Sequence, residues 1–203
     1  MNLSILSVMC ALLLLTGCTG VGVVEAPDPY EKLNDAERLF RQYDRPIPAE
    51  GLIFQAIEIF KMRDDLQGLG DAYRDYGDLL VSSAVKNLES SYRNSGFKDK
   101  SVTFENRFYK SNEYFAKALA YYQAEEKRVL ENQQYEVLTL LYLNMARTSV
   151  KINDQKMSCS YYDKGLKAFH ANFRHDQDAE SDSAGPDSVP ELVAAGKKLI
   201  GCD

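Results

Sequence analysis

The residues whose types could do chemistry are two histidines, four cysteines and a surplus of carboxylates. His170 and His175 stand five apart, a spacing that does not stack two side chains on one helix face as i and i+4 does. They do not read as a metal pair. Neither HExxH nor CxxC occurs, and there is no GxSxG or P-loop. Gly68-Leu69-Gly70 lacks the later glycines and preceding strand of a dinucleotide fingerprint. The carboxylate pairs Asp64/Asp65 and Glu125/Glu126 fall at turns or on polar helix faces, where solvated charge belongs. No catalytic set, metal-ligand set or cofactor motif emerges, so the expectation is a binding protein rather than an enzyme.

The 203 residues, 45% hydrophobic and 27% charged, suit one globular domain behind a short leader. Net charge is −6, and residues 1–17 contribute none of the charged side chains. An acidic body argues against nucleic acid as a partner, because phosphate binding needs a basic face.

Residues 3–15 (LSILSVMCALLLL) form an apolar run. It is shorter than the roughly 20 residues that span a bilayer and has the length of an export-signal core. Leu15-Thr16-Gly17-Cys18 follows, and this resembles the lipobox of bacterial lipoproteins. The resemblance implies a leader over 1–17, diacylglyceryl on the Cys18 thiol and acylation of its new amine. It also implies a tether over 18–29. The segment before the apolar run has no Lys or Arg, a departure from the usual pattern. Thr19 after the cysteine, not Asp, implies the outer membrane with the body facing the periplasm. The alternative is an ordinary cleaved leader with an incidental cysteine. Each buried CH2 of the acyl chains would contribute about 0.8 kcal/mol of anchoring.

Outside the cytoplasm, the remaining mature cysteines, Cys159 and Cys202, are expected to join. By the chain-entropy model such a loop contributes about 4 kcal/mol. The other reading is a buried free Cys159 and an exposed Cys202.

The elements that must position any site are helices. From Tyr30 the apolar residues recur every three or four positions. Leu33, Ala36, Leu39, Phe40 and Tyr43 mark a first helix, which Pro46 and Pro48 are expected to end. Leu52, Ile53, Ala56, Ile59 and Phe60 mark a second. A third is expected unbroken from about 67 to 92, where Asn94-Ser95-Gly96 stops it. Residues 95–105 are irregular. Further helices are expected over about 106–132, 135–152 and 155–172, and a last one opens near Ser188-Val189-Pro190. Residues 175–188 are acidic and Ser-rich, and read as a mobile loop. The fold class is all-α, built of antiparallel helical hairpins over 30–203.

Residues 142–167 read Tyr142-x-x-Met145-Ala146-x-x-Ser149, a turn, then Ser158-x3-Tyr162-x-x-Gly165. This resembles the tetratricopeptide repeat, a helix–turn–helix unit of about 34 residues. Tyr73-x-x-Tyr76-Gly77-x-x-Leu80, Ala56-x3-Phe60 and Ala118-x3-Tyr122 are partial matches. Ser149 departs from the family, which places an aromatic there. The resemblance implies a right-handed solenoid of about three irregular units plus a C-terminal helix; a non-repeat bundle is the alternative.

Tetratricopeptide proteins bind peptides or helices on the concave face lined by each unit's first helix. Carried over to the matching positions, that face holds Arg74, Asp78, Arg147 and Lys151, with Asn144 able to reach a bound backbone. The expected partner is another protein. In one reading the chain is an envelope adaptor lipoprotein holding a resident machinery component; in the other it is an immunity lipoprotein neutralising an incoming toxin. The aromatic, basic stretch 92–109 reads as core packing with solvated charges, or as a second contact surface.

Overall fold

The computed structural model describes residues 28–124, 135–173 and 188–202. The leader, Cys18, the tether up to Pro27, residues 125–134 (with Glu125/Glu126 and the end of the helix expected over 106–132) and residues 174–187 lie outside them. Nine helices follow in order among the described residues: α1 (Pro29–Arg41), α2 (Pro46–Arg63), α3 (Leu66–Val81), α4 (Ser83–Asn87), α5 (Glu89–Ser95), α6 (Arg107–Ala124), α7 (Tyr135–Lys151), α8 (Gln155–Phe173) and α9 (Val189–Ile200). None is long and apolar enough to cross a membrane. Helices pack mainly on near neighbours: α1 on α2, α2 on α3, α3 on α6, α6 on α7, α7 on α8, α8 on α9. The first helices of the three hairpins also touch in series, α1 with α3 and α3 with α7.

Local sequence explains most boundaries. Asp28 caps α1, its carboxylate accepting from the Tyr30 N–H at 2.7 Å, and Pro29 occupies the first turn, where no amide donor is needed. Leu33, Ala36, Leu39 and Phe40 are buried, whereas Tyr43 lies beyond the helix end and is exposed. The two prolines open α2 instead of merely ending α1: α1 already stops at Arg41, and Pro46 sits at the start of α2. Within α2, Ile57 is buried and Ile59 only partly so. Asp64 in the left-handed region closes α2, and Asp65 caps α3 by accepting from the Gly68 N–H at 2.8 Å.

The long third helix expected over 67–92 is three helices. Ser82 adopts extended backbone, and its hydroxyl donates to the Leu79 carbonyl at 2.7 Å while accepting from the Val85 N–H. That local exchange ends α3 and starts α4. Leu88 makes a second break before α5. Gly96, at φ 73°, turns the chain into the connection that leads to α6.

Two glycines set the α3–α6 packing. A methyl group at Gly77 would stand 2.5 Å from the Phe115 ring, and one at Gly70 would stand 2.6 Å from the Tyr122 ring. Both pairs are spaced by seven residues, so two rings of α6 seat in two gaps on one face of antiparallel α3. Burying Phe115 completely contributes roughly 2–3 kcal/mol. Core residues form three successive groups: one spans α1 to the start of α6, one joins α6 to α7, and one joins α7, α8 and α9. Cys159 and Cys202 form a disulfide with Cα atoms 5.7 Å apart, fastening the end of α9 to the first turns of α8.

Candidate functional site

One face of α3 carries Asp71, Arg74, Asp75 and Asp78, at i, i+3, i+4 and i+7. That face looks onto α1 and α7, and the three helices border a groove of about 730 Å³. Glu37, Phe40 and Arg41 of α1 line it, with Leu140, Asn144 and Arg147 of α7 opposite.

Asp78 is the junction. Its Oδ2 accepts from Arg41 at 3.0 Å and its Oδ1 from Asn144 at 2.8 Å, so one carboxylate joins three hairpins. Burial raises its pKa, while Arg41, Arg74 and Arg147 pull it back. Arg41 is held from behind by Glu37 at 2.8 Å. Arg74 reaches Asp75 through two nitrogens at 3.0 and 3.2 Å and Asp71 at 3.2 Å. Burial opposes the Arg74 charge, but Asp75, Tyr122 and Asp71 more than compensate and hold it firmly protonated. Asp75 is the most affected acid: burial pushes its pKa up to about 7 despite Arg74. Asp71, also raised by burial, accepts from the Tyr122 hydroxyl at 2.7 Å.

Of the expected binding residues, Arg74, Asp78, Asn144 and Arg147 line this groove. Lys151 does not; it is exposed in the last turn of α7. The Asn144 amide, expected to meet a ligand backbone, donates to Asp78 instead. Arg147 is exposed, as is Leu140 at 52%, so the α7 side of the groove carries both charge and apolar surface. Arg41, Glu37 and Asp75 escaped the sequence reading. The repeat resemblance starts at Ala56, which leaves α1 outside it. Asp75 was visible as the carboxylate next to Arg74 on the same helix face.

The groove presents both signs of charge, the acids of α3 and Glu37 against Arg41, Arg74 and Arg147. Every carboxylate on α3 already has a cationic or hydroxyl partner. His170 packs its ring against Phe169 near the end of α8, and His175 lies outside the described residues. Among the described residues, no three His, Cys, Asp or Glu side chains gather around a common point.

The aromatic stretch divides. Tyr92, Phe97 and Phe104 are buried in the core, and the Arg107 guanidinium lies 3.8 Å from the Phe104 ring centre. Buried Glu50 of α2 ties the stretch down: it accepts from the Tyr76 hydroxyl at 2.9 Å and the Lys98 N–H at 2.7 Å. Its pKa is raised by burial and partly restored by those two donors. Ser149 takes its non-aromatic place for a similar reason. Its hydroxyl accepts from the buried Asn112 amide at 3.1 Å and donates to the Met145 carbonyl, where a ring could do neither.

No family model matches the chain, and neither curated proteins nor solved structures gave a match.

Proposed function

We propose that this chain is an adaptor lipoprotein of the cell envelope, lipid-anchored through Cys18, that holds another envelope protein in the α1/α3/α7 groove. The lipobox resemblance supports the anchor and the periplasm-facing placement. The observation that carries the binding role is the convergence of Arg74, Asp78, Asn144 and Arg147 from two hairpins on one groove, beside the exposed Leu140. Such a groove offers fixed charges at its floor and an apolar contact at its rim, the composition of a protein-recognition surface.

The test is affinity capture from detergent-solubilised envelopes with the full-length chain, a Cys18→Ala chain and an Arg147→Glu/Leu140→Asp chain. A resident envelope component recovered in near-stoichiometric amount, and lost with the groove variant, supports the adaptor. A secreted hydrolase whose activity the chain blocks transfers the role to toxin neutralisation. Capture unchanged by the groove variant removes the groove from either role.

A further inference from the structure

A second surface lies apart from the groove. A cleft of about 450 Å³ opens between α2, the 98–101 connection and α6, and its lining shares no residue with the groove. Four lysines border it: Lys61, Lys98, Lys100 and Lys117, all exposed. They gather there although the whole chain carries a net charge of −6.

Acceptors and donors are unequal in this cleft. Asp99 is already engaged: it accepts from the Tyr114 hydroxyl and from the Ser101 N–H and hydroxyl, the latter two at 2.9 Å. Glu58 pairs with Lys61 at 2.8 Å. The lysines keep spare capacity, since each ammonium has three N–H groups. Lys100 uses one on the Phe97 carbonyl, and Lys117 lies 4.6 Å from the Tyr114 ring centre. A ligand here must therefore bring acceptors with negative charge.

The floor is aromatic. Phe54 and Tyr73 are only partly buried, and Tyr73 is stacked between Tyr114 and Tyr121 at 5.9 and 5.6 Å. The positive charges are also strung out rather than focused. Lys98 lies over Gly51, with its Cε 3.6 Å from where a methyl there would stand, and Lys61 is in the last turn of the same helix. Ten helical residues separate those points, roughly 15 Å at the helical rise, the length of about four or five extended residues. No arginine lines the cleft to grip a phosphate bidentately.

We propose that this lysine-rimmed cleft docks an acidic, extended peptide segment of a protein partner, its carboxylates meeting the Lys61–Lys98–Lys117 rim and an apolar side chain lying on Phe54 and Tyr73. The cleft does not depend on the groove: a partner lost from the groove leaves this site testable by itself.

The probe is a fluorescent synthetic peptide alternating glutamate and phenylalanine, titrated by anisotropy into the full-length chain in neutral detergent. A lysine-for-glutamate version and vesicles rich in phosphatidylglycerol serve as comparisons. The expected result is saturable binding of the acidic peptide that weakens with added salt. Lys98→Glu/Lys117→Glu lowers that affinity about tenfold or more, and the same charge change placed at Lys86→Glu/Lys156→Glu leaves it within about twofold. Circular dichroism verifies that both variants remain helical. No saturable binding, or equal loss in both double variants, overturns the proposal. So does binding of the vesicles through these lysines without competition by the peptide, which would assign the cleft to a membrane surface.

Discussion

Asn144 donates to Asp78 across 2.8 Å although the two residues are 66 apart in the chain. Their helices, α3 and α7, are the first helices of successive hairpins, and the contact makes them neighbours. Gly77 and Ala146 stand 69 residues apart in the sequence (146 − 77), close to twice the repeat length of about 34. They are one hairpin apart, because residues 82–106 form an excursion between α3 and its partner α6.

A double-mutant cycle on Asp78→Ala and Asn144→Ala should therefore give a coupling of about 0.5–2 kcal/mol in chemical denaturation. Asp78→Ala alone should destabilise by roughly 1–3 kcal/mol, since Arg41 and Asn144 both lose their acceptor. Arg147→Glu, at an exposed rim position, should stay within about 0.5 kcal/mol of the parent. Additive effects at Asp78 and Asn144 would show the contact to be idle.

Gly77→Ala should lower stability by about 1–3 kcal/mol, because the added methyl meets the buried Phe115 ring. Gly51→Ala is the reference: it sits within α2 with only an ordinary contact to Lys98, so removing the glycine should raise stability by about 0.5–1 kcal/mol. Thermal melts of the two variants should move in opposite directions.

Asp75 gives a pH dependence. Its pKa rises from the ordinary 3.8 to about 7 on folding, so between those values the folded chain binds more of this proton than the unfolded chain. Its share of the stability is then greatest at low pH and is lost as pH climbs from about 4 to about 7. Asp71 and Asp78, also raised by burial, act in the same direction. Asp75→Asn should flatten the slope of melting temperature against pH over that interval. An unchanged slope would mean Arg74 keeps Asp75 ionised throughout.

Reducing the disulfide, or Cys202→Ser, should release α9 before the rest. The chain-entropy model gives about 4 kcal/mol for the closed loop, and α9 otherwise holds on through Val193, the close fit of Gly196 against Tyr162, the Lys197–Asp163 ion pair and the Gln155 amide donating to the Ile200 and Gly201 carbonyls. Hydrogen exchange should accelerate over 189–200 while α1–α3 stay protected.

Helical periodicity was enough to place most helices, and the expected export with only two mature cysteines besides Cys18 was enough to pair Cys159 with Cys202. Periodicity could not show the breaks at Ser82 and Leu88. The apolar period runs straight through Leu80, Ala84 and Leu88, and the interruption comes from a serine hydroxyl competing for backbone partners. Four groove residues were legible as positions on first helices. Arg41 was not, since its role depends on α1 packing beside α3, a relationship no local pattern carries. Lys151 shared the period of that face but lies one turn past the groove.

The excursion over 82–106 constrains the order in which this chain can become stable. Ala84, Val85, Tyr92, Phe97, Val102 and Phe104 fill the same core as α1, α2 and α3, and Lys98 completes the shell around Glu50. A growing chain that ends before these residues leaves Glu50 without its Lys98 N–H donor and the first core unroofed. The first two hairpins should thus form one cooperative unit, with α7–α9 adding as a separate, weaker one.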